Sequence, residues 1–352
     1  MRIAACDLVS YRLPLTEPVV WNGERREARE GVLLRLDDAE GHAGWGDAAP
    51  LPGFSTETLG QSRAALTEAV GALVGRDLDP SLCLRDGPLW AALDALDLPP
   101  SARFALDLAL ADLARQSPGR TLPQALHPDP EVTLPLCGLV MGGDAVASAG
   151  ALAAAGYGAV KLKVGRQSVE ADVEAVRAVR AALPEGVALR LDANRAWAWD
   201  EALAFAEGVR DLRLDYVEEP LREAERMPEL WHDTGLPVAL DETLQAPGGE
   251  ARIRGWAEAA VLKPTLVGGV AQTLRLAAAA RAVGVRPVLS AAFESGVGLR
   301  GVAALAVATG AEPAGLDPYR WLAADVLPPL PFDRPRVDVP GLFSTPLDVR
   351  VP

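Results

Sequence analysis

The 352-residue sequence is nearly devoid of lysine: of its 34 basic residues only Lys161, Lys163 and Lys263 are lysines, and the rest are arginines. Cysteine is as scarce. Cys6, Cys83 and Cys137 are odd in number and far apart, which argues against a disulfide framework. His42, His127 and His232 are scattered, so a histidine-built zinc site has little to draw on. No apolar run approaches the roughly 20 residues that span a bilayer. The opening stretch MRIAACDLVSYRLPL lacks the basic-then-apolar layout of a secretion signal. A formal net charge of −14 argues against a general attraction to nucleic acid or an anionic membrane. These absences point to a cytoplasmic protein acting on a small molecule, with no particular oligomeric assembly indicated.

What is present is unevenly placed. Arginine stays protonated at any working pH, whereas a partly buried lysine can give up its proton. Lys161 and Lys163 alternate within the apolar run 158–164, and Lys263 ends another such run. Positions needing only positive charge are filled by arginine elsewhere, so these three suggest acid–base chemistry.

Residues 1–60 read as strands and loops, with Gly31–Leu36 running into a hairpin turn at Asp37–His42. The Gly/Pro-rich stretch 44–55 carries Trp45 and Phe54 and has the make-up of a lid over a site. From Ser55 to about Gln116 the pattern turns helical, with a helix start at 55–58 and apolar helical spacing over 102–113. Beyond residue 132 short apolar runs (134–140, 159–164, 188–191, 216–217, 238–240, 260–262, 287–289, 315–316) alternate with helical patterns (147–155, 169–183, 200–209, 270–283, 297–309). That alternation predicts a parallel α/β barrel. The Pro-rich tail from about Leu327 is expected to return to the N-terminal part.

In such a barrel chemistry sits at the C-terminal strand ends. Those ends carry Lys161 and Lys163, Asp192-Ala193-Asn194, Glu218-Glu219-Pro220, Asp241-Glu242-Thr243, Lys263-Pro264 and the stretch Ser290–Gly296. Buried charges there require partners or a metal. Carboxylates from three successive strands suit Mg²⁺, with lysines on opposite flanks placed to remove a proton beside a substrate carboxylate.

The ordered K-x-K, D-x-N, E-E-P, D-E-T and K-P pattern resembles the enolase superfamily, in its muconate-lactonising-enzyme branch, over the whole barrel. The resemblance implies a (β/α)7β TIM-like barrel over 131–325, with an α+β capping domain over 1–130 completed by the tail 326–352. It implies Lys163 as base, Lys161 as its helper and Lys263 as the opposite lysine. Asp192, Glu218 and Asp241 become ligands of Mg²⁺, with Mn²⁺ as a substitute; Glu218 is preferred to Glu219 because E-Q-P relatives keep only the first acid. A narrower resemblance, to the o-succinylbenzoate synthase family, rests on 49–55 and 290–298. It implies substrate contacts from Gly53, Phe54, Ser55, Arg190, Asn194, Ser290, Glu294 and Ser295. The reaction implied is loss of water from a cyclohexadiene carboxylate through an enediolate formed by Lys163. Ala291-Ala292 departs from the expected serine there. Dipeptide epimerases and N-succinylamino acid racemases of the branch share the two-lysine site. The epimerases typically carry Asp-x-Asp at the eighth strand, where this chain has Gly315-Leu316-Asp317-Pro318-Tyr319.

Overall fold

The computed structural model describes residues 1–21, 23–79, 93–116, 119–140, 143–246, 248–310, 312–332, 334–344 and 347–350. Cys83 and part of the expected helical stretch 55–116 lie outside them. Cys6 and Cys137 are free thiols.

The chain opens with an antiparallel sheet of β1 (Ile3–Trp21), β2 (Glu24–Asp38) and β3 (Ala43–Ala48). The β2–β3 turn falls where the sequence predicts it. The Asp38 carboxylate closes it, accepting from the amides of Glu40 at 2.9 Å and His42 at 2.8 Å. Helix α1 (Leu59–Leu73) starts at Thr58, whose capping box with Gln61 satisfies two end amides. Helix α2 (Pro100–Ala114) is buried from Ser101 to its end. It lies so close on β3 that a Cβ on Gly46 would stand 1.9 Å from the Ala105 carbonyl oxygen, so only glycine admits the contact.

Seven parallel strands follow in the order β5 (Cys137–Val140), β6 (Ala159–Lys163), β7 (Ala188–Asp192), β8 (Tyr216–Glu218), β9 (Val238–Leu240), β10 (Ala259–Leu262) and β11 (Arg286–Leu289), each paired with its neighbour. The expected eighth strand is reduced to Ala314 and Gly315. Their backbones close the ring: Cys137 donates to the Ala314 carbonyl and Gly315 to the Leu289 carbonyl, both at 2.9 Å. The predicted run 134–140 is split. Its first part, β4 (Thr133–Pro135), pairs antiparallel with β12 (Arg336–Asp338) in the tail, and Leu347 and Val349 pack near Leu13 and Leu33 of the first sheet.

The outer helices are α3 (Ala145–Ala154), α4 (Val169–Ala182), α5 (Trp199–Val209), α6 (Met227–Thr234), α7 (Gly269–Ala282) and α8 (Gly296–Ala308). The sequence reading misses α6, which buries only Met227 and Leu230 and so shows little apolar spacing. Between β9 and β10 the described chain forms only short 3-10 turns. No helix among the described residues is long and apolar enough to cross a membrane.

Candidate active site

A cavity of about 630 Å³ opens at the C-terminal ends of the barrel strands. The barrel supplies Lys161, Lys163, Asp192, Asn194, Lys263 and Ser290 to its wall. The N-terminal sheet and its following loop cover it with Glu17, Val19, Trp21, Leu51 and Phe54. Strand alternation explains the first group: in register, Lys161 lies beside Arg190, Lys163 beside Asp192, and Asp192 beside Glu218, so alternate residues of adjacent strands face inward at successive levels.

The charges interlock. Lys161 Nζ lies 2.6 Å from Glu218 and 2.7 Å from Asp192. Lys163 Nζ donates to Asp192 Oδ2 at 2.7 Å and to Asn194 Oδ1 at 2.6 Å, and Asn194 Nδ2 donates to Glu242 at 3.0 Å. Lys263 pairs with Asp241. Burial opposes the charge of Lys161 and Lys263, yet facing carboxylates raise both above the ordinary lysine value, Asp241 foremost for Lys263. Lys163 differs. Burial, reinforced by the charges of Lys161 and Lys263, outweighs Asp192 and lowers it. Burial also opposes ionisation of Asp192, but the three lysines hold it well below the carboxylate range.

Glu218 is pushed up to about 7 by burial and then by Asp192 and Asp241, and Glu242 to about 7 by burial and then by Asp241. Glu242 Oε2 is buried without a hydrogen-bond partner. An all-oxygen donor set with this surplus of buried negative charge fits a hard divalent cation. Asp192, Glu218 and Asp241, the expected ligands, stand at the ends of β7, β8 and β9. Among the described residues, the one acidic or His/Cys trio with donor atoms mutually within 4.8 Å is Asp38, Glu40 and His42, at the β2–β3 turn. Lysine ammonium groups lie against all three barrel carboxylates. Glu219, the alternative to Glu218, is fully occupied: it accepts from Asp241 N at 2.9 Å, Thr243 N at 2.8 Å, Thr243 Oγ1 at 2.9 Å and Arg195 Nε at 2.8 Å. Asn194, Arg195, Glu219 and Phe293 all hold positive φ, between 41° and 61°, so non-glycine backbone strain concentrates around this mouth.

The enolase C-terminal domain-like family matches residues 144–342, and the MenC N-terminal domain family matches residues 2–113. An o-succinylbenzoate synthase from Pectobacterium atrosepticum is 33% identical over 92% of this chain and 88% of its own length. A second, from Yersinia enterocolitica, is 34% identical over 86% of each chain. The chain belongs to the o-succinylbenzoate synthase family of the enolase superfamily. The similarity to these two relatives extends over 86% or more of its length. Among solved structures, a dipeptide epimerase from Methylococcus capsulatus complexed with Mg and the dipeptide L-Arg-D-Lys superposes with a TM-score of 0.80 at 26% identity, over 96% of this chain and 97% of that one.

Within this family member, several residues expected at the substrate lie elsewhere. Arg190 is level with Lys161 in strand register and one inward step below Lys163. It is buried at 2% exposure, donates to Asp215 at 2.8 Å and to the Pro313 carbonyl at 2.6 Å, and lies over the Tyr216 ring, away from the cavity. Its inward strand position makes it look like a site residue, but Asp215 draws it down. Glu294 accepts from Thr265 Oγ1 and from the Ala292 amide, both at 2.6 Å, and Ser295 donates to Asp47; both are structural joints behind the wall. Ser55 Oγ accepts from the Leu51 amide at 2.8 Å, folding the loop on itself. Gly53 faces an adjoining opening that Phe54 and Asn194 share with the main cavity.

Two organising residues escape the sequence reading. Arg29, 2% exposed on β2, donates to the carbonyls of Ala49, of Pro50 at 2.8 Å and of Phe293 at 2.9 Å. It clamps the covering loop to the loop after β11. Asp47 accepts from Tyr11 Oη at 2.9 Å and from Ser295. Neither carries a motif; each is one of many Arg or Asp residues until the strands are paired.

Proposed function

We propose that the chain catalyses the syn elimination of water from 2-succinyl-6-hydroxy-2,4-cyclohexadiene-1-carboxylate, giving 2-succinylbenzoate on the route to menaquinone. The observation carrying this reading is the single cavity in which Lys161 and Lys163 of β6 meet Lys263 beyond β10, in a chain about one-third identical to o-succinylbenzoate synthases. Asp192, Glu218 and Asp241 are the residues that would hold Mg²⁺, or Mn²⁺ in its place. That cation would supply positive charge beside the ring carboxylate.

Lys163 acts first as base. Its neutral Nζ takes the proton from the carbon bearing the ring carboxylate, leaving an enediolate. Asn194 and Asp192 hold Nζ in place for that transfer. The protonated Lys163 then returns the proton to the departing hydroxyl on the same face as the C–O bond breaks, and water leaves from an aromatic product. Lys161 anchors Asp192 and Glu218. Lys263 stays protonated and offers its charge to the electron-rich ring from the other side. The seat of the eighth strand supports elimination over dipeptide epimerisation: the lone Asp317 already accepts from the Leu139 amide at 2.7 Å and pairs with Arg320, leaving no carboxylate pair for an amine.

The test is direct. Purified protein with Mg²⁺ is expected to convert the cyclohexadiene substrate, followed by its absorbance change, and Lys163→Ala is expected to lose that conversion. Wild-type protein inert toward this substrate would overturn the reading.

A further inference from the structure

The substrate class just proposed carries two carboxylates, one on the ring and one ending the succinyl chain, and the lysine centre accounts for the first only. Four cations line the main cavity: Lys161, Lys163, Lys263 and Arg166. Each lysine is already paired with an acidic side chain. Asp317, also on the wall, is paired with Arg320. Arg166 alone among these lining cations has no ion-pair or hydrogen-bond partner among the described residues.

Its placement is fixed from below. Arg166 follows Gly165, three residues beyond Lys163, in the loop between β6 and α4. Gly165 has φ +76°, and its amide donates to Asp172 Oδ2 at 2.7 Å. A Cβ at Gly165 would stand 2.3 Å from Ala196 Cβ, so this loop is pressed against the loop after β7. A pinned backbone therefore delivers a guanidinium to the mouth of the cavity, on the same side as Lys163. A guanidinium binds a carboxylate through two parallel N–H donors, a match that an ammonium group lacks.

We propose that Arg166 is the specificity residue that receives the distal, succinyl-chain carboxylate of the substrate. This rests on the dehydration reading given above. It deepens that reading by assigning the second anionic group, which Ala291 and Ala292 have no polar side chain to meet.

The experiment compares 2-succinylbenzoate with 2-butanoylbenzoate, which replaces only the distal carboxylate by a methyl group, in calorimetric titrations of the Mg²⁺-supplied protein. Arg166→Met is expected to weaken 2-succinylbenzoate roughly 10- to 100-fold while leaving 2-butanoylbenzoate within about threefold, with Arg166→Lys in between. In turnover the same Arg166→Met change is expected to raise KM for the cyclohexadiene substrate far more than it lowers kcat. Equal losses for both ligands, or no loss for either, would overturn the assignment. Wild-type turnover of the substrate separates the two failures: active wild type with an indifferent Arg166 sinks only this inference, and inactive wild type sinks the reading beneath it.

Discussion

Asp47 accepts two hydrogen bonds from Ser295, one from its amide at 2.9 Å and one from its hydroxyl at 2.8 Å, across 248 positions of sequence. The pair ties the end of β3 to the residue that caps α8, so the covering sheet and the barrel share one buried carboxyl. Burial pushes Asp47 up to about 6, against the hydrogen bonds from Ser295 and Tyr11. The folded protein thus holds this proton more tightly than the unfolded chain does. Its contribution to stability is full below about pH 4 and is withdrawn as pH rises through about 6. Asp47→Asn removes the titration and keeps an acceptor. The melting temperature of wild type relative to Asp47→Asn is expected to be more favourable at about pH 5 than at about pH 7.5. A gap that stays constant over that range contradicts the assignment.

The lysines divide the chemistry unequally. Lys163→Ala is expected to lower kcat by at least about 10²–10⁴, the usual worth of general acid–base catalysis, without lowering the melting temperature much. Lys263→Arg keeps the charge and cannot exchange a proton at working pH. Dehydration is expected to survive it, whereas any deuterium exchange into N-succinylamino acids from the Lys263 side disappears. Loss of both activities together would show that the second lysine also transfers protons in the elimination.

Choice between the adjacent acids Glu218 and Glu219 is open to a binding readout that needs no turnover. Mg²⁺ at about 100 times its Kd is expected to stabilise the fold by about 2.7 kcal/mol, seen as a rise in melting temperature. Asp192→Asn, Glu218→Gln and Asp241→Asn should each abolish that rise. Glu219→Gln should lower the starting melting temperature, since Glu219 holds Thr243 and Arg195, yet leave the Mg²⁺-induced increment in place. Chelation with EDTA is expected to stop turnover, and added Mg²⁺ to restore it.

Arg29→Met strips hydrogen bonds from buried carbonyls of Ala49, Pro50 and Phe293. A stability loss of about 2 kcal/mol or more is expected, read by chemical denaturation. Cleavage within 49–55 by a nonspecific protease should quicken, and KM should rise more than kcat falls. Arg29→Lys is not expected to rescue either effect, because one ammonium cannot reach all the carbonyl acceptors that the donors of a guanidinium fork reach. Unchanged protease sensitivity would dissociate Arg29 from the loop.

The sequence reading reaches the barrel and its charged rim because both are written in short-range pattern. Apolar runs of four or five residues ending in Lys, Asp or Glu carry their own register: strand alternation alone sends Lys161, Lys163 and Asp192 inward. Helices α4, α5, α7 and α8 are foreseen to within a residue or two for the same reason. What fails is what depends on a partner far along the chain. Arg190 has the right inward phase but meets Asp215, so it serves the barrel floor. Glu294 and Ser295 sit in the right loop, but Thr265 and Asp47 claim them first. The eighth strand shrinks to Ala314 and Gly315, and Gly315 passes so close to Ser290 that a Cβ would stand 2.6 Å from its Oγ. Arg29 and Arg166 are invisible among so many arginines until pairing and loop geometry put one against backbone oxygens and the other at an open mouth.

The grip of Arg29 has an evolutionary corollary. The hydrogen bonds of Arg29 go to main-chain oxygens, and such bonds are indifferent to the side chains those residues bear. Substitutions at Ala49, Ala292 or Phe293 can therefore remodel the ceiling of the chamber while its fastening stays put. Preference among ligands is free to drift in this lineage without each change having to reinvent how the cover is held down.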